Sequence, residues 1–580
     1  MSWLHHLPPG AILVLGALAL PLLRGTALKV GLLVLPLLSG WHLATFEVGT
    51  VLTWSCAGLD LTPIRIDRLS LVWGTIFHIA AFLSALFALH VQDRWQHLAG
   101  LAYAGSAIGG VFAGDLVTLF VFWELTAVTS VFLVWAPHDH LPEGERSAQR
   151  VRSRKAGMRY LVIQVASGVI LLAGLIYRWS ETGSVDFGAL GIDNLAGQLI
   201  FLAFGIKAAF PFLHNWLQDA YPEATPTGTV FLSAFTTKMA IYALARGFAG
   251  TEELIYIGAA MTAFPIFFAV IENDLRRVLA YSLNNQLGFM IVGVGLGTEM
   301  ALNGTAAHAF AHILYKALLF MAMGAVLMRT GTAKGSELGG LYKSMPWTTG
   351  LCIVGAASIS AFPLTSGFVS KSLVLTSAAE GHYTLVWFVL LFASAGVFHH
   401  SGIKIPFFAF FAHDSGKRVK EAPFHMLLAM GITAAFCLGI GMFPGLLYGI
   451  LPFDVAYEPY TGFHVVSQLQ LLLFSALAFT VLNRWGVYPP ELRSTVLDFD
   501  WFYRKPIPAL LRGAQRLGDR LWAETLAALD LLRTGFLGLV RHYHGPEGLF
   551  ARTWAAGNIA LVAAAMLALV LAVFFVFGVG

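Results

Sequence analysis

The sequence predicts an all-α polytopic membrane protein, and three observations predict it. Of its 580 residues, 57% are hydrophobic and only 12% are charged, about half the charged fraction of soluble domains. Apolar runs of span length recur almost from end to end. Several ionisable residues sit midway along those runs, where a charge costs ~2.5–3.5 kcal/mol on the most lenient scale. Chains keep such groups mainly where they line an ion or proton path.

Sixteen spans are expected, about 14–16 once short runs are allowed for. Segment 1–97 holds three, near 10–24, 27–44 and 69–91. The run 12–23 lacks a basic start and a small-residue cleavage site, so it reads as a span and not a removed signal peptide. A first five-span unit covers 98–248, with spans near 98–113, 115–135, 156–178, 195–219 and 226–248. A second covers 253–411, with spans near 253–271, 276–297, 303–328, 347–377 and 384–411. Segment 424–485 adds spans near 424–451 and 465–485.

The chain turns charged between 486 and 555. There, 506–543 reads as one amphipathic helix, a lateral segment of roughly 55 Å at 1.5 Å per residue. Leu510, Ala514, Leu517, Leu521, Leu529, Leu532, Phe536 and Val540 follow its apolar stripe; Arg512, Arg516, Asp519, Arg520 and Arg533 populate the other side. It is either an interfacial helix on lipid headgroups or a strut against neighbouring spans or subunits. Segment 556–580 supplies the last span.

Spans seven and twelve are broken alike. Pro211 follows Lys207 by four residues, and Pro363 and Gly367 precede Lys371. Proline removes a backbone donor, and freed backbone groups survive at membrane depth only where protein or water satisfies them. Matched breaks at the fourth place of each unit point to two inverted five-helix repeats.

Loop charge sets the orientation. Arg146, Arg150, Arg152, Arg154 and Lys155 crowd one loop, and the loop beyond the next span carries Glu181, Asp186 and Asp193. Arg276 and Arg277, Lys334 and Lys343, and Lys417, Arg418 and Lys420 fall on the basic side. The positive-inside rule then puts both termini outside the cytoplasm. The net charge of +4 makes no case for nucleic acid. The three cysteines, Cys56, Cys352 and Cys437, stand alone, which excludes an iron–sulfur cluster held by this chain alone. No phosphate-cradling GxxxxGK[ST] loop is present. No cofactor is expected.

The membrane-buried ionisable groups are Glu124, Lys207, Lys238, His312, Lys316 and Lys371. Glu124 and Lys207 form the first pair, read either as a movable ion pair that releases a proton or as a static buried salt bridge. His308, His312 and Lys316 stand at i, i+4 and i+8 on one helical stripe, and histidine passes protons near neutral pH. A metal would need a further ligand, and Lys316 would repel it, so no metal is expected. Lys238 has no charged neighbour in its own span. His399, His400 and Lys404 form a further cluster: Lys404 either echoes Lys238 in the second repeat or belongs to an interfacial basic patch.

FVFWELTAVTS, FGIKAAFPFLHNWLQDAYPEATPTG, ENDLRRVLAYSLNNQLGFM, HAFAHILYKALLFMAMG and AFPLTSGFVSK stand in the order of the antiporter-like subunit family, which the chain resembles over about 60–450. That family comprises the large D and A subunits of Mrp-type cation/proton antiporters, the L, M and N subunits of respiratory complex I, and hydrogenase relatives. The resemblance implies a proton relay through Glu124, Lys207, Lys238, His308, His312, Lys316 and Lys371. Two positions depart from the pattern: Ser233 stands where some members carry histidine, and Asp115 where many carry asparagine.

The expected function is proton translocation within a multisubunit Na⁺/H⁺ antiporter, with other membrane subunits, the bilayer, H⁺ and Na⁺ as partners. The alternatives are a proton-pumping subunit of a complex I or hydrogenase-type enzyme, which the lateral helix and last span favour, and an ion-driven partner in bicarbonate uptake. The expected location is the bacterial inner membrane.

Overall fold

A computed structural model describes residues 6–56, 58–489, 492 and 496–578. The outermost residues of the first and last expected segments, 1–5 and 579–580, lie outside the described residues, as do residues 490, 491 and 493–495 of the expected lateral segment. The chain divides into two units, Met1–Asp498 and Phe499–Gly580.

The first unit opens with α1 (Ala11–Ala19) and α2 (Gly25–Ala44), then an antiparallel hairpin, β1 (Val51–Cys56) and β2 (Leu59–Arg65). The hairpin falls between two expected spans, where no strand was expected. α3 (Arg68–Phe87) starts on a capping box in which Asp67 accepts from the Ser70 backbone and Ser70 from that of Asp67. α4 (Arg94–Phe112), α5 (Leu116–Trp135), α6 (Glu143–Thr182), α7 (Leu195–Lys207), α8 (Asn215–Ala220), α9 (Gly228–Ala234) and α10 (Thr236–Gly247) occupy the first five-span unit.

The second five-span unit holds α11 (Glu253–Ile271), α12 (Leu275–Leu296), α13 (Glu299–Thr330), α14 (Pro346–Ile359), α15 (Ser366–Glu380) and α16 (Thr384–Val397). Beyond α16 come two π-helical stretches, Phe398–Ile403 and Phe407–Phe411, around the short α17 (Lys404–Pro406). α18 (Phe424–Met442), α19 (Gly445–Tyr448) and α20 (Gly462–Arg484) complete the larger body. Each expected span falls on one helix or a broken pair, except 384–411, which runs from α16 through the π-helical stretches and α17. Among the described residues, eleven helices are long and apolar enough to cross a membrane, with shorter apolar helices at Ala11–Leu22, Leu195–Lys207 and Pro346–Ile359.

The two five-span units share backbone detail. The Leu116 N–H donates to the Val185 carbonyl and that of Phe187 to Gly114. In the second, Leu275 donates to Ala333, and Gly335 to Asn273. Each time an aspartate, Asp115 or Asp274, caps the helix that follows. The core lies among α4, α10, α12 and α13, and the apolar stretch of α13 is entirely buried.

The second body holds α21 (Asp500–Arg504), α22 (Pro506–His544) and α23 (Ala556–Phe577). α22 is one helix of 39 residues whose leucine stripe and arginine face are both exposed.

Candidate functional site

An ammonium buried at membrane depth needs acceptors, and helix ends and breaks supply carbonyls that no helical N–H takes. Three lysines follow this rule, and a fourth, Lys207, does not, since its carbonyl lies midway along α5. Lys238 donates to the Ser233 carbonyl at 2.6 Å, beside a kink where Phe235 leaves helical geometry between α9 and α10. Lys371 donates to the Ile359 carbonyl at 2.7 Å, at the end of α14. Lys404 closes the end of α11, on the carbonyls of Val270 (2.7 Å) and Glu272 (2.6 Å). Lys207, the last residue of α7, donates to the Trp123 carbonyl and to Thr126 Oγ1 at 3.0 Å, with its ammonium 4.4 Å from the Trp123 ring centroid.

The two breaks are copies of each other. Ala209 and Phe212 take positive φ (62° and 69°) after α7; Ala361 and Leu364 take 57° and 70° after α14. The N–H of Phe210 reaches back to the Gly205 carbonyl, and that of Phe362 to Ala357. Pro211 and Pro363 sit between each left-handed pair. Gly367 follows the second break, where a Cβ would lie 1.8 Å from the Ser358 carbonyl oxygen. That position admits only glycine.

Glu124 and Lys207 do not form a direct ion pair. Glu124 Oε1 is buried without a hydrogen-bond partner, and Lys207 rests on the backbone one residue before it. A Cβ at Gly168 of α6 would lie 1.5 Å from Glu124 Oε1, so the missing side chain makes the carboxylate's space.

His308, His312 and Lys316 line one stripe of α13, all fully buried. Lys316 donates to Ser282 Oγ of α12 at 2.8 Å. His308 pairs through Nδ1 with Ser370 Oγ (3.2 Å), next to Lys371, and through Nε2 with the Tyr315 hydroxyl (3.3 Å). Both ring nitrogens of His312 lack partners, so no direct hydrogen bond joins it to Lys238. His400 and Lys404 are fully buried within the protein. His399 sits apart, against Phe479 and Tyr488.

Three further features have contacts that the sequence did not assign. Asp115 accepts from the Thr118 N–H (2.7 Å) and hydroxyl (2.6 Å) and from the Thr62 N–H of β2 (2.7 Å), tying the hairpin to α5. Asp498 is buried against His214 Nε2 (3.1 Å), just past the first break, and the Tyr281 hydroxyl (3.0 Å). Thr62 lies far from Asp115 in sequence, and His214 and Tyr281 far from Asp498, so no local signal gave these contacts. Third, a polar cleft of about 800 Å³ opens between loops of the two five-span units, lined by His138, His140, Glu223, Glu272 and Arg277 among others. Burial pushes His138 down to about 4, with Arg276 adding to the shift. Burial and then His138 push His140 down to about 3. Glu272 is raised by burial against the opposing pull of Arg277.

Residues 113–398 match the family described as NADH:quinone oxidoreductase/Mrp antiporter, TM. The chain is 30% identical over 425 residues to a probable A/B component of a K⁺/H⁺ antiporter from Rhizobium meliloti (strain 1021), covering 68% of this chain and 41% of that one. It is 28% identical over 433 residues to hydrogenase-4 component B of Escherichia coli (strain K12), covering 66% of this chain and 62% of that one. The chain thus spans less than two thirds of these relatives. A chain in the structure of the Mrp complex from Dietzia sp. DQ12-45-1b shares the fold with a TM-score of 0.75 at 24% identity, over 91% of this chain and 62% of that one.

Proposed function

Because residues 113–398 match the NADH:quinone oxidoreductase/Mrp antiporter, TM family, we propose that the chain is the proton-translocating subunit of a multisubunit monovalent cation/proton antiporter. The observation that carries this reading is that the buried amines rest on carbonyls and hydroxyls instead of carboxylates. An amine so held exchanges its proton without breaking an ion pair. Protons enter at Lys207, gated by Glu124, pass along Lys238, His312 and Lys316, and leave past His308 and Lys371. Water bridges groups that do not touch.

The test is cation-dependent pH change in vesicles carrying the complete complex. Lys238→Ala and Lys316→Ala each lower proton movement by about 10²-fold or more and leave the protein in the membrane. Proton movement indifferent to Na⁺, K⁺ and Li⁺ sinks the antiporter reading; normal movement in Lys316→Ala sinks the relay.

The likeness to hydrogenase-4 component B supports a second reading, a proton-pumping membrane subunit of a redox enzyme. Proton movement then follows an electron donor and not a cation gradient.

A further inference from the structure

We propose that His400 and Ser401 form a side branch that carries protons between Lys316 and the polar cleft beside Glu272. This branch rests on Lys316 acting in proton movement, as above.

The residues lie on the first π-helical stretch, Phe398–Ile403, and π-helical turns concentrate at functional sites. Here the widened turn buries both His400 and Ser401 completely. His400 Nδ1 is 2.9 Å from Ser401 Oγ. Ser401 donates to Ser282 Oγ of α12 at 2.8 Å. Ser282 is the hydroxyl on which Lys316 of α13 rests, also at 2.8 Å. Three elements thus meet in one unbroken hydrogen-bonded row ending on the central lysine.

At the other end, His400 Nε2 is buried with no hydrogen-bond partner. One turn on, Lys404 holds the Glu272 carbonyl, and Glu272 itself lines the cleft. Gly402 lets the stretch press on the second helix break: a Cβ there would lie 2.3 Å from Ser360 Oγ.

The row moves one proton without net loss. Once His400 Nε2 has taken a proton from the cleft side, the Nδ1 proton of the imidazolium passes to Ser401 Oγ as Ser401 hands its own to Ser282, and His400 is left neutral. Ser282 in turn hands its own to the neutral amine of Lys316. One N–H bond breaks at His400 and one forms at Lys316, while each hydroxyl gives and takes one proton. Packing alone asks for no hydroxyls here, since replacing both partners of a buried hydrogen bond with apolar groups is close to neutral for stability.

The test uses vesicles from the source cell with the whole complex. Ser401→Ala and His400→Gln each lower proton movement by about tenfold, the rate equivalent of one lost hydrogen bond, with unchanged protein in the membrane. The double variant falls no further, and Ser401→Thr, which keeps the hydroxyl, restores transport. Full transport in Ser401→Ala, alongside loss in Lys316→Ala, overturns the branch. So does a fall merely proportional to lost protein, which marks a structural clamp. Normal transport in Lys316→Ala instead overturns the relay itself. Should Ser401→Ala fail to assemble, Ser282→Ala decides by the same outcomes.

Discussion

A methyl group on Gly168 would collide with Glu124 Oε1 at 1.5 Å, so one absent side chain sets where this carboxylate sits. Elsewhere in a helix interior, glycine to alanine adds about 1 kcal/mol of stability. Gly168→Ala should therefore leave the protein folded and its melting temperature equal or higher. It should cut proton movement about tenfold, because the carboxylate must swing from its place near Lys207. Thermal melting and vesicle pH changes on one preparation check both; transport at the full rate would show that Glu124 needs no fixed position. Lys238, Lys371 and Lys404 teach the same lesson: each sits where a freed carbonyl awaits it, not where an opposite charge does.

At the scale of elements, the twin breaks carry the internal symmetry. Each places an alanine in left-handed backbone, Ala209 at 62° and Ala361 at 57°, a geometry that costs an L residue ~1–2 kcal/mol and glycine almost nothing. Ala209→Gly and Ala361→Gly should each stabilise the protein by about 1 kcal/mol, seen as a rise in melting temperature of the same sign at both. Opposite signs would mean that the two breaks bear strain differently despite their shared hydrogen bonds. The kink at Phe235 is a third interruption, and the π-helical stretches after α16 stand at the equivalent place in the second five-span unit. Lys238 and Lys404 mark these two interruptions.

Across the whole molecule, the two five-span units are stapled at the polar cleft. Arg276 of α12 is buried and donates to the carbonyls of Pro222 (2.9 Å) and Ala224 (3.0 Å) in the loop after α8. Beside it, His138 is held neutral, its value pushed to about 4 by burial from an ordinary ~6.5. The unfolded chain therefore takes up this proton first as pH falls. Stability present above about pH 6.5 is lost towards pH 4, by up to about 1.4 kcal/mol per pH unit for His138. Melting temperature between pH 7 and 5 checks this: His138→Asn should flatten the slope. An unchanged slope would place the lost stability on other groups.

Hydropathy and local pattern were enough to determine the class, the order of the spans, both proline breaks and the amphipathic helix at Pro506–His544. Each of these is decided by neighbours in the chain: a run of apolar residues, a 3–4 residue spacing, the repeated Ala-Phe-Pro at 209–211 and 361–363. The ionisable candidates were legible for the same reason, since a charge in an apolar run is visible without a partner. What each charge touches was not. The hairpin at 51–65, the kink at Phe235, the latch of Asp498 on His214, the space left by Gly168 and the row from His400 to Lys316 belong to tertiary structure alone. Their hydrogen bonds and contacts join residues far apart in sequence, or answer packing that no local signal records. Only the packed helices bring a hydroxyl, a carbonyl or an empty Cβ position to the charge that needs it.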